Sequence, residues 1–315
     1  MEEPIPMNAQ IKPPDDSEKF IAVVGSLNMD LVLRVPRAPA AGETLTGHEF
    51  SLMPGGKGAN QAVACARLGS RVLMAGRVGA DAFGRDLREA MVTDGIDSEF
   101  VSIDNHTATG VAMILVEDSG QNRIVLAPGA NAQLVAAHLD AAATCIEQAA
   151  LMILQLEVPL ATVEHAIGIA RRASVPVLLN PAPAQPLPDR LCPAVDYLIP
   201  NETEAALLAG FPVTDPRSAA AAAEVFRGRG VRHVLVTLGE QGVVIAGPGG
   251  TLHVPALPAR AVDTTAAGDT FIGGFATGLL EGMEVEQAAR LGQQAAAFCV
   301  ARHGAQRSIP RRVDL

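Results

Sequence analysis

The sequence predicts an α/β fold, with a mostly parallel central sheet, helices on both faces and a small β lid. Three observations predict it: short β-branched apolar runs recur along the chain, helical patterns fall between them, and a few other segments alternate polar and apolar residues. Continuous apolar runs suit strands buried on both faces. Alternating ones suit a sheet with one face in water.

The first twenty residues carry Pro4, Pro6, Pro13, Pro14 and the acidic pair Asp15-Asp16. They lack the basic start and apolar core of a secretion signal and read as a disordered extension, leaving 21–315 as one domain. Ile21-Ala22-Val23-Val24-Gly25 opens the order as a central strand. Further strands are expected at Val72–Ala75, Leu151–Leu154, Val177–Leu179, Tyr197–Ile199 and Val234–Val236. Helices are expected at Ala59–Leu68, Gly84–Thr93, Leu134–Glu147, Leu160–Arg172, Glu202–Leu208 and Ala219–Arg227. In such a fold, ligands gather at the carboxyl ends of the strands. Leu31–Val35, Gly110–Val116 and Arg123–Leu126 alternate instead and predict the lid, drawn from about 30–50 and 107–128. A sheet with one apolar face must bury it over the cleft or against a second copy of itself, so a homodimer through the lid is expected.

Composition narrows the function. Hydrophobic residues make up 49% of the 315, and charged ones 18%, which fits a compact globule. The net charge of −10 disfavours nucleic acid and anionic membranes as partners. Cys65, Cys145, Cys192 and Cys299 are scattered, with no C-x-x-C pair, and read as free thiols in the cytoplasm. No two of the seven histidines stand at ligand spacing, so a His/Cys metal site has little support, while an oxygen-lined cation site stays open.

Chemistry concentrates in glycine-rich turns. Asp263-Thr264-Thr265-Ala266-Ala267-Gly268-Asp269 precedes an apolar helical run and aims backbone N–H groups at one point beside the Asp269 carboxylate. That arrangement suits a base next to an anion, although an acidic residue also complements a helix dipole unaided. Gly55-Gly56-Lys57-Gly58-Ala59-Asn60-Gln61 likewise opens a helix. It fails as a Walker A loop because Gly58 stands where Ser or Thr is needed, and as a dinucleotide fingerprint because Gln61 replaces the last glycine. A glycine turn presenting Lys57 and Asn60 to an oxygen-rich ligand remains, beside the plainer reading of a tight turn with a solvated lysine.

Asn28 and Asp30, two apart past the first strand, point the same way if extended and suit vicinal sugar hydroxyls; an Asx turn is the alternative. Asn201-Glu202-Thr203-Glu204 fits a capping box, or a pair reaching hydrated Mg²⁺ and phosphates. Thr237-Leu238-Gly239-Glu240-Gln241-Gly242 fits a hairpin turn or a nucleotide passing over the backbone.

In this order, together with Gln155-Leu156-Glu157, Asn180-Pro181-Ala182-Pro183-Ala184 and Arg302-His303-Gly304-Ala305-Gln306, these motifs resemble the PfkB (ribokinase-like) family of carbohydrate kinases from Ile21 to Pro310. The resemblance implies ATP-dependent phosphorylation of D-ribose at O5. Asp269 would be the general base, and the amides of Ala266, Ala267 and Gly268 the anion hole. Asn28, Asp30, Gly56, Lys57, Gly58, Asn60 and Glu157 match sugar-holding positions. Asn201, the run Thr237, Leu238, Gly239, Glu240, Gln241 and Gly242, and Gln293 match the ATP side, which Gly268 and Asp269 share, with Glu204 near Mg²⁺ through water. Asp263, Thr265, Cys299, Arg302, Gly304 and Ser308 match the ligands of an activating K⁺.

Some positions depart from the family pattern. Gln293 stands where a histidine is common, Thr265 and Cys299 differ from common choices, and the lid from Ala108 through Pro128 matches less closely. Rival readings are a kinase for 2-deoxyribose or a nucleoside, and a non-catalytic sugar sensor.

Overall fold

The structure, a computed structural model, describes residues 19–315. The expected N-terminal extension over 1–20 lies outside these apart from Lys19 and Phe20, and Phe20 already belongs to the first strand. In chain order the strands are β1 (Phe20–Val24), β2 (Asn28–Val35), β3 (Glu49–Gly55), β4 (Arg71–Gly79), β5 (Val101–Asp104), β6 (Gly110–Glu117), β7 (Asn122–Ala127), β8 (Leu151–Leu154), β9 (Val177–Leu179), β10 (Tyr197–Leu198), β11 (His233–Thr237), β12 (Val243–Gly247) and β13 (Gly250–Val254). The helices are α1 (Lys57–Arg67), α2 (Ala82–Thr93), α3 (Ala136–Gln148), α4 (Leu160–Arg172), α5 (Glu202–Ala209), α6 (Pro216–Gly228), α7 (Ala267–Leu280) and α8 (Val285–Val300).

Nine strands form the main sheet in the order β13-β12-β11-β10-β9-β8-β1-β4-β5. It is parallel from β11 to β5, and the hairpin β12-β13 adds two antiparallel strands at one edge. The period of two along β1 sends Ala22 and Val24 to a core shared with α3, α4, α5 and α6. Ile21 and Val23 face the opposite core, shared with α1, α2, α7 and α8. This is the doubly covered α/β architecture that the apolar runs predict. Among the described residues, no helix is long and apolar enough to cross a membrane.

Helix α7 is apolar on nearly every side because it lies between α1 and α8, with Phe275 fully buried. Truncating Phe275 to alanine would cost about 3–5 kcal/mol. The approach of α7 to α1 requires Gly273, since a Cβ there would stand 2.3 Å from the Cβ of Ala64. Close helix packing thus sets the N-terminus of α7 against that of α1.

The second sheet has the order β3-β2-β6-β7, with β2 and β6 parallel and both outer pairs antiparallel. Its register decides which side chains share a face. Asp30, Met53, Ala112 and Leu126 lie in one row, and Leu31, Leu52, Met113 and Val125 in the next, on the opposite face. The strand β3 runs past the expected limit of 50 to Gly55; Pro54 is tolerated because β3 is an edge strand.

Candidate active site

The carboxyl ends of the parallel strands meet the N-termini of α1, α5 and α7. The segment after β1 holds Ser26 and leads within three residues into β2, where Asn28 and Asp30 occupy the same face. Strand β3 delivers Gly56 and Lys57 at the start of α1. Gly56 has φ +90°, and a side chain there would strike the Asn28 amide at 2.7 Å, so only glycine lets the two segments touch.

Asp269, in the first turn of α7, is buried with an amide on each oxygen. Asn60 Nδ2 donates to Oδ2 at 3.0 Å, and Gln61 Nε2 donates to Oδ1 at 2.9 Å. Ala266 caps α7 in the left-handed region, with φ +60°. The first amides of a helix lack intrahelical acceptors, which leaves Ala266 and Gly268 as donors at this turn; the Ala267 N–H already donates to the Thr264 carbonyl at 3.2 Å.

Four carboxylates surround Lys57. Burial pushes its ammonium toward neutrality, but Asp269, Glu157, Glu204 and Asp30 more than offset that and hold its pKa above the ordinary value. Asp30 is pushed up to about 7 by burial, then by the charges of Glu157 and Asp269, against the pull of Lys57. Asp269 is raised as well, by burial above all, with Lys57, Asn60 and Gln61 opposing. Glu157 is held by Ser26 Oγ at 2.5 Å, the Lys57 N–H at 3.1 Å and Asn28 Nδ2 at 3.4 Å. The Oδ1 of Asn60 is buried without a hydrogen-bond partner. Carbonyl oxygens of that kind cost free energy until a donor reaches them.

The expected nucleotide-side residues lie at neighbouring strand ends. Asn201 pairs with Thr237 in an isolated parallel bridge, and Gly239–Gln241 forms a single 3-10 turn that closes the β11-β12 hairpin. Asn201 and Glu204 complete a capping box: the Glu204 N–H donates to Asn201 Oδ1 at 2.8 Å, and Glu204 Oε2 accepts from the Asn201 N–H at 2.9 Å. Leu238 is buried, Glu240 is exposed, and the side chain of Gln241 reaches the Thr214 carbonyl. Gln293, on α8, spends its amide on the carbonyls of Val254 and Pro255, at 3.1 and 3.2 Å. Gly242 has φ +96° and lies against the backbone of Val254 to Ala256.

The six residues expected around a cation also converge. Asp263 Oδ1 accepts from the amide and hydroxyl of Thr265, and Oδ2 from the Gly304 N–H at 2.9 Å. Burial works against ionisation of Asp263, yet these donors hold its pKa below the usual range. Cys299 Sγ lies 3.6 Å from the Thr265 carbonyl and 3.0 Å from Ser308 Oγ, and the Arg302 N–H donates to the Cys299 carbonyl. At the far end of α1, the Arg67 guanidinium binds Asp94 and the carbonyls of Gln306 and Ile309, which anchors this segment.

Two cavities open here. One, of about 340 Å³, is lined by Asn28, Glu157, Leu126, Pro128 and Asn131 among others. The other, of about 720 Å³, lies between the small sheet and the Asp263–Thr265 turn and includes Asp30. The sequence profile of the pfkB family carbohydrate kinases matches residues 18–312. The chain belongs to that family.

Its relatives within the pfkB family include a ribokinase of Haemophilus influenzae, 45% identical over 94% of this chain and 97% of the relative. A deoxyribokinase of Salmonella typhi is 40% identical over 92% of this chain and 95% of the relative. The structure of an Arabidopsis thaliana ribokinase complexed with ribose and ATP superposes with a TM-score of 0.89, at 34% identity, covering 94% of this chain and 97% of the other. In this pfkB kinase, four polar residues beyond the expected set are built into the site. Ser26 holds Glu157, Gln61 holds Asp269, Asn180 accepts from Gln61 at 3.2 Å, and Asn131 donates to Asn28 Oδ1 at 2.8 Å. Two of the four, Gln61 and Asn180, stand inside the motifs that carry the resemblance, and Ser26 lies between the first strand and Asn28. Asn131 carries no signal beyond being a polar residue between alanines.

Proposed function

We propose that the chain is a ribokinase, transferring the γ-phosphoryl group of ATP to O5 of D-ribose. The observation that carries this reading is Asp269, a buried carboxylate at the N-terminus of α7 that faces Lys57 and Asn60. Asp269 takes the proton of the O5 hydroxyl as that oxygen attacks phosphorus. Amides at the Ala266–Gly268 turn stabilise the charge on the transferred group. Phosphoryl transfer demands mainly positioning and neutralisation, and both are properties of this helix end.

On the sugar side, Asn28, Asp30, Gly56, Lys57, Gly58, Asn60 and Glu157 hold the ribose hydroxyls. The unpartnered Asn60 Oδ1 supports this, since a hydroxyl donor satisfies it. On the nucleotide side, Asn201, the Thr237–Gly242 turn and Gln293 receive ATP. Mg²⁺ bound with ATP would supply charge neutralisation at the phosphates, and Glu204 is the residue that would reach it, through water. The cluster of Asp263, Ser308 and the carbonyls of Thr265, Cys299, Arg302 and Gly304 is made of hard oxygen donors and fits K⁺, which would supply a fixed charge that steadies the turn.

The small sheet acts as a lid, with Asn28 and Asp30 on the face turned to the sugar. Its opposite face exposes Phe50 (58%), Leu52 (41%), Met113 (51%) and Val125 (68%), and a homodimer through that face covers them. The four cysteines are all free, which suits the cytoplasm.

ADP release with ribose, Mg²⁺ and K⁺ tests the reading. Replacing Asp269 by Asn should lower kcat by about 10²–10⁴-fold, and equal rates in the two proteins would remove the base. The deoxyribokinase relative favours a second reading, and comparing kcat/KM for ribose and 2-deoxyribose separates the two. Groups placed for the 2-hydroxyl are left unpaired by the deoxy sugar.

A further inference from the structure

Gln61 is fully buried, and every polar contact of its amide that the site offers is made inside the protein. Its Nε2 donates to Asp269 Oδ1 at 2.9 Å and to Asn180 Oδ1 at 3.2 Å, while its Oε1 accepts from Gln155 Nε2 at 2.7 Å. The amide has one orientation only. Turned over, its oxygen would face two acceptors, and Asn180 cannot turn to help because its own Nδ2 donates to the Ile199 carbonyl at 2.9 Å. Gln155 packs close to Gly25, where a Cβ would lie 2.0 Å from Gln155 Oε1, and that buried oxygen has no hydrogen-bond partner of its own, so the amide donates inward to Gln61 alone. A one-way chain of donors therefore runs from Gln155 through Gln61 to a single oxygen of Asp269.

We infer that Gln61 is a positioning residue that pins Oδ1 of Asp269 and so presents Oδ2, beside Asn60, to the attacking hydroxyl. This rests on the role proposed above for Asp269. Gln61 itself reaches no substrate. Asp269 is also faced by Lys57 from α1, Glu157 after β8, Asp30 on β2, Glu204 on α5 and Cys299 on α8. These stay in place when Gln61 alone is changed. Losing the Gln61 donor disfavours the ionised carboxylate, so the base is lost at a higher pH.

The test is Gln61→Met, which keeps the length of the side chain and removes the donor. For ribose phosphorylation, kcat should fall about tenfold, KM for ribose should stay within about threefold, and the acid limb of kcat/KM should rise by about one pH unit. Gln155→Met, one residue further out, removes the donor to Gln61 Oε1, which leaves that buried oxygen unpartnered and loosens the amide, and should move the acid limb the same way by less. A folded Gln61→Met protein with a wild-type acid limb overturns the inference, as does a fall in kcat that merely tracks thermal stability. Should Gln61→Met not fold, an unmoved acid limb in Gln155→Met has the same force. Wild-type turnover by Asp269→Asn removes the functional reading itself; an inactive Asp269→Asn beside an unaltered Gln61→Met removes only the role of Gln61.

Discussion

Asn60 Nδ2 lies 3.0 Å from Asp269 Oδ2, so a residue of the first turn of α1 touches one in the first turn of α7 across 209 positions of sequence. The other amide atom of Asn60, Oδ1, is unpartnered. On the function proposed above, Asn60 therefore serves both the base and the sugar. Replacing it by alanine should raise KM for ribose by roughly three- to tenfold, the worth of a hydrogen bond between neutral groups. Steady-state kinetics with ribose varied at saturating ATP would check this, and an unchanged KM would place the sugar elsewhere.

The second prediction concerns pH. Asp30 has a folded pKa of about 7 against an ordinary 3.8. A carboxyl raised in this way contributes stability that is complete below the unfolded value and is lost as pH rises through the folded one. Between about pH 4 and 7, the protein without ligand should thus lose stability on the order of a few kcal/mol through this group. Asp30→Asn should flatten that fall, with a Tm above wild type at pH 8 and near it at pH 4. Calorimetry across the range decides; parallel curves for the two proteins would contradict the raised pKa.

Backbone strain gives a third. Ala266 and Ser174, with φ of +60° each, are the non-glycine residues in the left-handed region among those described. Glycine at either should raise stability by about 0.5–1 kcal/mol, read as a higher denaturation midpoint. Only Ala266→Gly should also lower kcat, by roughly severalfold, because it loosens the turn that holds the anion. Ser174 follows the end of α4, far along the chain from that turn, and its variant should leave kcat alone.

A fourth follows from the contact of α1 with α7. Gly273→Ala puts a Cβ 2.3 Å from Ala64 and should cost about 1–3 kcal/mol. The same push moves α1, which carries Lys57, Asn60 and Gln61, so kcat/KM should fall beyond what unfolding explains. An assay well below the Tm of the variant separates the two effects.

The proposed dimer supplies a fifth. Val125 and Ile124 are neighbours on β7 with side chains on opposite faces of the small sheet. Val125→Lys should shift sedimentation from dimer to monomer, and Ile124→Lys should not. Dissociation by both or by neither would point to another interface.

Much of the fold was legible because its signals are local. Leu160–Arg172 begins and ends where its 3.6-residue pattern does, and Asn28 with Asp30 share a face because a strand has a period of two. The hairpin β12-β13 went unread, since Gly247-Pro248-Gly249-Gly250 reads only as a turn; helix α8 also lies outside the expected elements, although its buried Ala288, Leu291, Ala295 and Cys299 repeat at helical spacing. In the site, glycine turns marked where amides would gather. The grip of Gln61 on Asp269 spans 208 positions and depends on Gly273 letting two helices meet, which no window of neighbouring residues records. Asn131 escaped for the same reason, as its partner Asn28 lies 103 residues away.

Only Gly25, Ser26 and Leu27 separate the end of β1 from β2, where Asn28 and Asp30 stand. The small sheet is thus fastened to the centre of the large one right beside Asn28 and Asp30, which line the two cavities. A hinge so placed cannot swing without carrying those two side chains along. On the function proposed above, gripping the sugar and setting the angle between the sheets are a single coordinate. A partner braced against the outer face of the small sheet would feel, through three residues of backbone, whether a sugar is in place.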